Sequence, residues 1–298
     1  MVIFKQLHNF AAFLPNPVSL KIFKTRKSLA EHLQALRAEG KTLGFVPTMG
    51  ALHQGHLSLL AIAQQQSDVV VCSIFVNPTQ FNDPKDLEKY PRPIESDTEK
   101  LTAAGCDILF NPGVSEMYAG NEQWHLDLGE LEHLLEGKFR PGHYQGVTQV
   151  VYKLFDIVKP DLAFFGQKDY QQCMVIQRMV DILKLPVKLV ICPIVREADG
   201  LAMSSRNIHL SAEDRQHALV LSRTLNWLKE HFDIGQIQSL QMQCLDKLSA
   251  EPGVSPEYFE IVDGKNLHTA NSSAKNIVAL AAAKVGSTRL IDNEIIVR

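Results

Sequence analysis

Residues 42–56 read TLGFVPTMGALHQGH. A short apolar run enters a turn punctuated by Gly50 and Gly55, and the chain leaves it through "HLSLLAIAQQQ" (56–66), a helical segment. The two glycines have the G-x-x-x-x-G spacing of a phosphate-cradling loop, whose backbone N–H groups at a helix start hold phosphate oxygens. Such a loop continues with lysine and then Ser or Thr. Here His56 and Leu57 stand in those places, and His53 precedes His56 by three residues. The missing lysine argues against a β,γ-cleaving NTPase of that type. Attack at an α-phosphate lying over the helix start fits better. The chain also lacks G-x-G-x-x-G, which removes the main support for a dinucleotide dehydrogenase.

Working outward, strand-like and helix-like segments alternate. "SLAEHLQALRAEG" (28–40) repeats leucines at helical spacing and stops at a glycine, and "VVVCSIFV" (69–76) is the continuous apolar run of a strand buried on both faces. "DTEKLTAAG" is a helix, "CDILFNP" a strand, and "VTQVVYKLFDIVK" a helix with Val147, Val150, Val151, Leu154 and Val158 on one stripe. "DLAFFG", "DYQQCMVIQRMVDILK" and "VKLVICPI" continue as strand, helix and strand. This rhythm predicts an α/β fold, a Rossmann-like doubly wound parallel sheet. It changes after Ile194. A long helix opened by Ser211 and Asp214 and a further helix near 236–250 lead to three strand-like segments, "PEYFEIVD", "NIVALAAAKV" and "TRLIDNEIIV". The expected organisation is a domain over 1–194, of which 1–19 is an N-terminal extension, and a smaller α+β domain over 195–298.

Bulk properties bound the function. In 298 residues, 45% are hydrophobic and 21% charged, enough for a sizeable core. A formal net charge of −3 gives no reason to expect a nucleic-acid or membrane-surface partner. The start is broken by lysine, histidine and prolines and does not read as a secretory signal, and no apolar run approaches the roughly 20 residues of a membrane span. Five scattered cysteines without a C-x-x-C pair read as reduced core thiols. The expectation is a soluble cytoplasmic protein.

Ligands of an open parallel sheet bind beyond the carboxyl ends of its strands. Four predicted strands deliver Asn77, Gln80, Lys168, Asp169, Gln172, Arg196, Ser204, Ser205 and Arg206 to that edge. Each alone is an ordinary loop polar; together they describe a site. His53 and His56 in the first helical turn face the same way, beside free N–H groups and the positive end of the helix dipole. A zinc site lacks a third ligand at suitable spacing. Phosphate contact is the better reading, since imidazole donates to a non-bridging oxygen and can carry a proton near neutral pH.

These motifs are familiar as a set. "PTMGALHQGH" resembles the HIGH-type signature of the nucleotidylyltransferase superfamily, and "AMSSRN" its KMSKS-like counterpart. Together with "SIFVNPTQF", "YPR", "RPGHYQGV", "FFGQKDYQQ" and "READGLAMSSRN", the chain from about Leu20 onward resembles the pantothenate synthetase (pantoate–β-alanine ligase) family. The resemblance implies an AMP-forming ligase making a C–N bond. ATP and pantoate give a pantoyl adenylate and pyrophosphate, and β-alanine then displaces AMP. It also implies a C-terminal lid, a homodimer and Mg²⁺. By motif match, ATP binding falls to Pro47, Met49, Gly50, Ala51, Leu52, His53, Gln54, Gly55, His56, Gly166, Gln167, Lys168, Asp169, Val195, Met203, Ser204, Ser205 and Arg206. His56 takes the place of a catalytic proton donor, and His53, Lys168, Ser204, Ser205 and Arg206 are expected on the phosphates. Gln80 and Gln172 match pantoate-binding positions, Gln80 also lies near β-alanine, and Asp97 matches a position linked to magnesium. In "FGQKD", Gln167 stands where many members carry Glu.

Two rivals remain at this level. Another nucleotidylyltransferase would leave the nucleotide on its product instead of releasing AMP, and a non-catalytic nucleotide-binding regulator would bind ATP without releasing pyrophosphate.

Overall fold

The structure is a computed structural model describing residues 19–81, 84–118, 120 and 122–297. The expected N-terminal extension lies, but for residue 19, outside the described residues. Strands β1 (Lys21–Phe23), β2 (Leu43–Thr48), β3 (Val69–Ile74), β4 (Ile108–Phe110), β5 (Leu162–Gly166) and β6 (Lys188–Cys192) form one sheet in the order β1-β4-β3-β2-β5-β6. Every neighbouring pair is parallel. The chain moves outward from β2 to β3 and β4, then returns to place β5 on the other side of β2. The topological switch point therefore lies between β2 and β5, where such sheets bind ligands.

Helices cover both faces, which is why the central strands are mostly apolar: all six residues of β3 are buried. One face carries α1 (Arg26–Ala38), α7 (His143–Val158) and α8 (Tyr170–Leu183), and Leu29, Leu33, the α7 stripe and Ile176 join its core. The other carries α2 (Gln54–Gln64) and α4 (Ile94–Ala103), through Leu59, Leu60 and Leu101. The strand β1 and the short helices α3 (Pro84–Lys89), α5 (Val114–Met117) and α6 (Leu135–Phe139) were not anticipated. They span too few residues to show a hydrophobic period.

The last parallel strand ends at Cys192, two residues before the expected boundary. Helices α9 (Ala212–His231) and α10 (Ile237–Ser249) then pack on an antiparallel sheet of β7 (Val254–Asp263), β8 (Ile277–Val285) and β9 (Thr288–Val297). Strand β8 is buried on both faces despite its antiparallel pairing. Ala279, Ala281 and Ala283 face α9 and α10, whereas Val278 and Leu280 face Leu134, Tyr170 and Met174 of the larger unit. The small sheet is thus sandwiched, and the larger unit forms one of its two walls.

Candidate active site

The turn after β2 explains its own glycines. Gly50 has φ +84°, and a Cβ there would lie 3.0 Å from Asp97 Oδ2. At Gly55 a Cβ would lie 2.9 Å from the His53 ring. The spacing of the two glycines thus serves the close passage of Asp97 on one side and His53 on the other.

His53 is the N-cap of α2. Its Nδ1 accepts from Gly55 N (3.2 Å), while His56 Nδ1 accepts from His53 N (3.3 Å). Both bonds are donated by backbone N–H groups, which fixes the tautomer: each ring keeps a lone pair at Nδ1 and presents Nε2–H. The rings lie 4.1 Å apart, centroid to centroid. Burial, and next Lys168, depress His53 to about 4; burial, and then His53 itself, depress His56 to about 3. The sequence suggested imidazoles able to carry a proton near neutral pH. Burial first, and then Lys168 and the neighbouring ring, keep both imidazoles neutral near neutral pH. They act as paired hydrogen-bond donors.

These donors open onto a cleft of about 670 Å³ between the two units. Of the sequence-predicted residues, Pro47, Met49, His53, Gly55, His56, Asn77, Gln80, Gly166, Lys168, Asp169, Gln172, Val195, Met203, Ser204, Ser205 and Arg206 line it. Lys168 enters from the end of β5, across the switch point from the histidines, with Asp169 Oδ1 at 3.9 Å. The 203–206 loop closes the far side. Asn207 anchors it to Glu197 Oε1 (2.7 Å) and Ala202 O (3.0 Å), Ser204 Oγ caps Arg206 N (3.2 Å), and the Tyr90 hydroxyl hydrogen-bonds Ser205. Gln172 faces the cleft with no side-chain partner among the described residues, whereas its neighbour Gln171 is spent on Glu136 N, Leu131 O and Leu134 O.

Other expected contributors have different tasks. The carboxylate of Asp97, expected on magnesium, is buried and accepts from Ala51 N (2.7 Å) and Leu52 N (2.8 Å). Both oxygens hold the turn, and Lys100 stands 3.9 Å from Oδ1 while donating to Leu52 O. Ala51 and Leu52 therefore shape the loop and do not line the cleft, and the Gln54 side chain is exposed on the outside of α2. Gln167 is buried against β9, donating to Asn293 Oδ1 (3.1 Å), while Asn293 Nδ2 donates to the carbonyls of Gln167 (3.0 Å) and Lys168 (2.9 Å). Its amide joins the two units and does not face the cleft. Asn77 is buried too: it donates to Gly146 O (3.1 Å) and accepts from the Tyr118 hydroxyl (2.7 Å), tying the 77–80 loop to α7. Arg196 pairs with Asp292 (2.7 Å) outside the cleft.

Among the described residues, no group of three or more His, Cys, Asp or Glu side chains is placed to hold a metal by itself. A magnesium ion that arrives on phosphates needs only one or two carboxylates from the protein. With Asp97 engaged, Asp169 is the cleft carboxylate open to that role, its side chain 48% exposed.

The sequence missed Tyr90, Arg140 and His143 as cleft residues, although all three stand in quoted motifs. Their order in the chain carried no chemical pairing to flag them.

Neutral donors, a lysine and a serine–arginine loop around a switch point suit a polyphosphate whose charge needs neutralising more than its hydrolysis needs a base. The class so defined is a nucleotide-binding α/β enzyme. The profile of the family described as Pantoate-beta-alanine ligase matches residues 21–295, and the chain belongs to that family. A pantothenate synthetase of Porphyromonas gingivalis (strain W83) is 46% identical over 276 residues, covering 92% of this chain and 98% of that protein. One from Rhizobium johnstonii is 44% identical over 279 residues, covering 93% and 92%. The crystal structure of pantothenate synthetase from Thermus thermophilus superposes with a TM-score of 0.87 at 41% identity, covering 93% of this chain and all (100%) of that one. A pantoate-beta-alanine ligase from Francisella tularensis, complexed with beta-gamma ATP and beta-alanine, matches with a TM-score of 0.78 at 34% identity, covering 93% and 98%.

Proposed function

We propose that the cleft activates pantoate with ATP to a pantoyl adenylate and passes the acyl group to β-alanine, giving pantothenate, AMP and pyrophosphate. The family's reaction is the ATP-dependent condensation of pantoate with β-alanine. The observation that carries the residue assignment is the tautomer pair: His53 and His56 each aim an Nε2–H from the start of α2, and Lys168 faces them across the switch point.

Carboxylate attack at the α-phosphorus builds charge on the equatorial oxygens and on the bridging oxygen that leaves with pyrophosphate. In this reading the histidine donors, at the positive end of the α2 dipole, meet the α-phosphate. Lys168, Ser204, Ser205 and Arg206 hold the departing pyrophosphate. Gln80 and Gln172 hydrogen-bond the hydroxyl and carboxylate groups of pantoate without adding a repelling charge. Mg²⁺ bound to ATP would supply charge neutralisation beside Asp169. Catalysis is then largely positioning and electrostatics.

A homodimer is the expected assembly, and sedimentation at twice the 33.3 kDa chain mass checks it. Five unpaired, buried cysteines suit the reducing cytoplasm, which is the compartment assigned here. No described helix is long and apolar enough to cross a membrane. The decisive test of function is exchange of labelled pyrophosphate into ATP. It should require pantoate and not β-alanine, and adding β-alanine should release free AMP. Exchange that ignores pantoate, or a nucleotide retained on the product, overturns the reading.

A further inference from the structure

The adenylate half of the reaction uses the histidine pair, the lysine and the 203–206 loop. It leaves Arg140, the residue that ends α6, and His143, the first residue of α7, without a task. Both line the same cleft and both lie in the stretch RPGHYQGV (140–147).

The Arg140 guanidinium donates to no protein group among the described residues. The acid whose charge acts on it, Glu136, is already held by Arg289 through two bonds of 2.7 Å and by the Tyr258 hydroxyl at 2.7 Å. Glu257 is spent on Arg289 as well, at 2.8 Å. Burial, and next the charge of Arg206, push the Arg140 pKa down against the opposing pull of Glu136. Such a site attracts an anion, and the planar fork of arginine matches a carboxylate.

His143 is buried, with only 6% of its surface exposed. Its Nδ1 lies 3.0 Å from the carbonyl of Gln80. A carbonyl only accepts, so Nδ1 carries the proton and Nε2 of the neutral ring keeps its lone pair. No described group donates to that lone pair. The carbonyl that sets this tautomer belongs to Gln80, whose side chain is assigned to pantoate. The ring is thereby tied to the place where the acyl group is made.

We propose that Arg140 and His143 form the acceptor subsite, Arg140 binding the carboxylate of β-alanine and His143 Nε2 taking a proton from its ammonium group. The proposal rests on the ligase reading above. The nitrogen must shed two protons to become an amide. His143 takes the first, which frees the lone pair to attack the acyl carbon and form the C–N bond. As the tetrahedral intermediate collapses, the C–O bond to the adenylate phosphate breaks. AMP leaves with that electron pair, and its phosphate takes the second proton.

The two residues are coupled. Burial and then the charge of Arg140 lower His143 to about 4, opposed by the Gln80 carbonyl, Glu136 and Asp169. A carboxylate seated on Arg140 cancels the opposing cation and raises the base toward the range where it can hold a proton. The second substrate thus arms its own base.

The test uses the full-length enzyme and separates the two half-reactions. His143→Gln keeps a donor for the Gln80 carbonyl but has no basic nitrogen, and Arg140→Gln removes the charge. Pantoate-dependent pyrophosphate exchange should stay within about threefold of wild type in both, which also shows that they fold. Pantothenate formation should fall about 10²–10³-fold in His143→Gln, the scale of a lost general base. In Arg140→Gln, KM for β-alanine should rise at least tenfold. Hydroxylamine is the control: at neutral pH it is an uncharged amine without a carboxylate, so both variants should form the hydroxamate at near wild-type rates. Retained β-alanine turnover, or equal loss of hydroxamate formation or of exchange, overturns the subsite. Wild-type enzyme without exchange would instead overturn the ligase reading.

Discussion

Asp97 shows how a single residue can be right in position and different in role. Its carboxylate reaches the active loop, but as an acceptor for Ala51 and Leu52 N–H groups. Those amides belong to a loop in which Gly50 and Ala51 both have positive φ, +84° and +50°, and which needs an external hold. Asp97→Asn leaves one of the two N–H groups facing an amide donor. The expected cost is about 1–3 kcal/mol of stability and a drop in exchange of roughly tenfold, as the histidines lose their platform. Raising magnesium separates this role from metal binding: the account predicts no rescue, and full rescue would return Asp97 to the metal. The histidines were legible from H-x-x-H at a strand-to-helix turn. Their neutrality was not, because it depends on burial and on Lys168, which arrives from a distant strand end.

At the scale of elements, the joint between β5 and β9 sets where Lys168 stands. Asn293 fastens the backbone carbonyls of Gln167 and Lys168, and Gln167 answers with its own amide. A glutamate in place of Gln167 could not donate to Asn293 Oδ1 as the amide does. Asn293→Leu strips partners from buried polar groups and should destabilise the protein by roughly 2–4 kcal/mol. It should also raise KM for ATP several-fold, read by steady-state kinetics; an unchanged KM would show that the joint does not position Lys168. The sheet itself was legible, because β2, β3, β5 and β6 are apolar runs long enough to stand out between periodic helices. Strand β1 and the helices α5 and α6 were not, since three to five residues carry no readable period. Gln167 was misplaced for a related reason: nothing local says which way a side chain at a strand end turns.

For the whole molecule, three buried or half-buried histidines that stay neutral link stability to pH. His53, His56 and His143 have native pKa values of about 4, about 3 and about 4, below the ordinary 6.5 they regain on unfolding. Between those limits the unfolded chain binds more protons than the native one, so stability rises with pH and is lost as pH falls. The thermal midpoint should therefore drop as pH is lowered from about 6.5 toward about 4. The slope should be shallower in His143→Gln; a midpoint flat across that window would contradict the buried neutral state. The same cleft stores both features, neutral donors awaiting phosphate and an Arg140 that has no hydrogen-bond partner for its guanidinium among the described residues and awaits a carboxylate. Its walls come from both the parallel-sheet unit and the β7–β9 unit, whose docking the sequence alone could not give.

The central claim is that His56, standing where a phosphate-binding loop carries lysine, stabilises attack at the α-phosphate. Pantoate-dependent exchange of labelled pyrophosphate into ATP, measured without β-alanine for wild type and His56→Ala, tests it most directly. The account predicts strict dependence on pantoate and a loss of about 10²–10³-fold in the variant, the scale of one missing transition-state donor. Exchange in His56→Ala at the wild-type rate would contradict it.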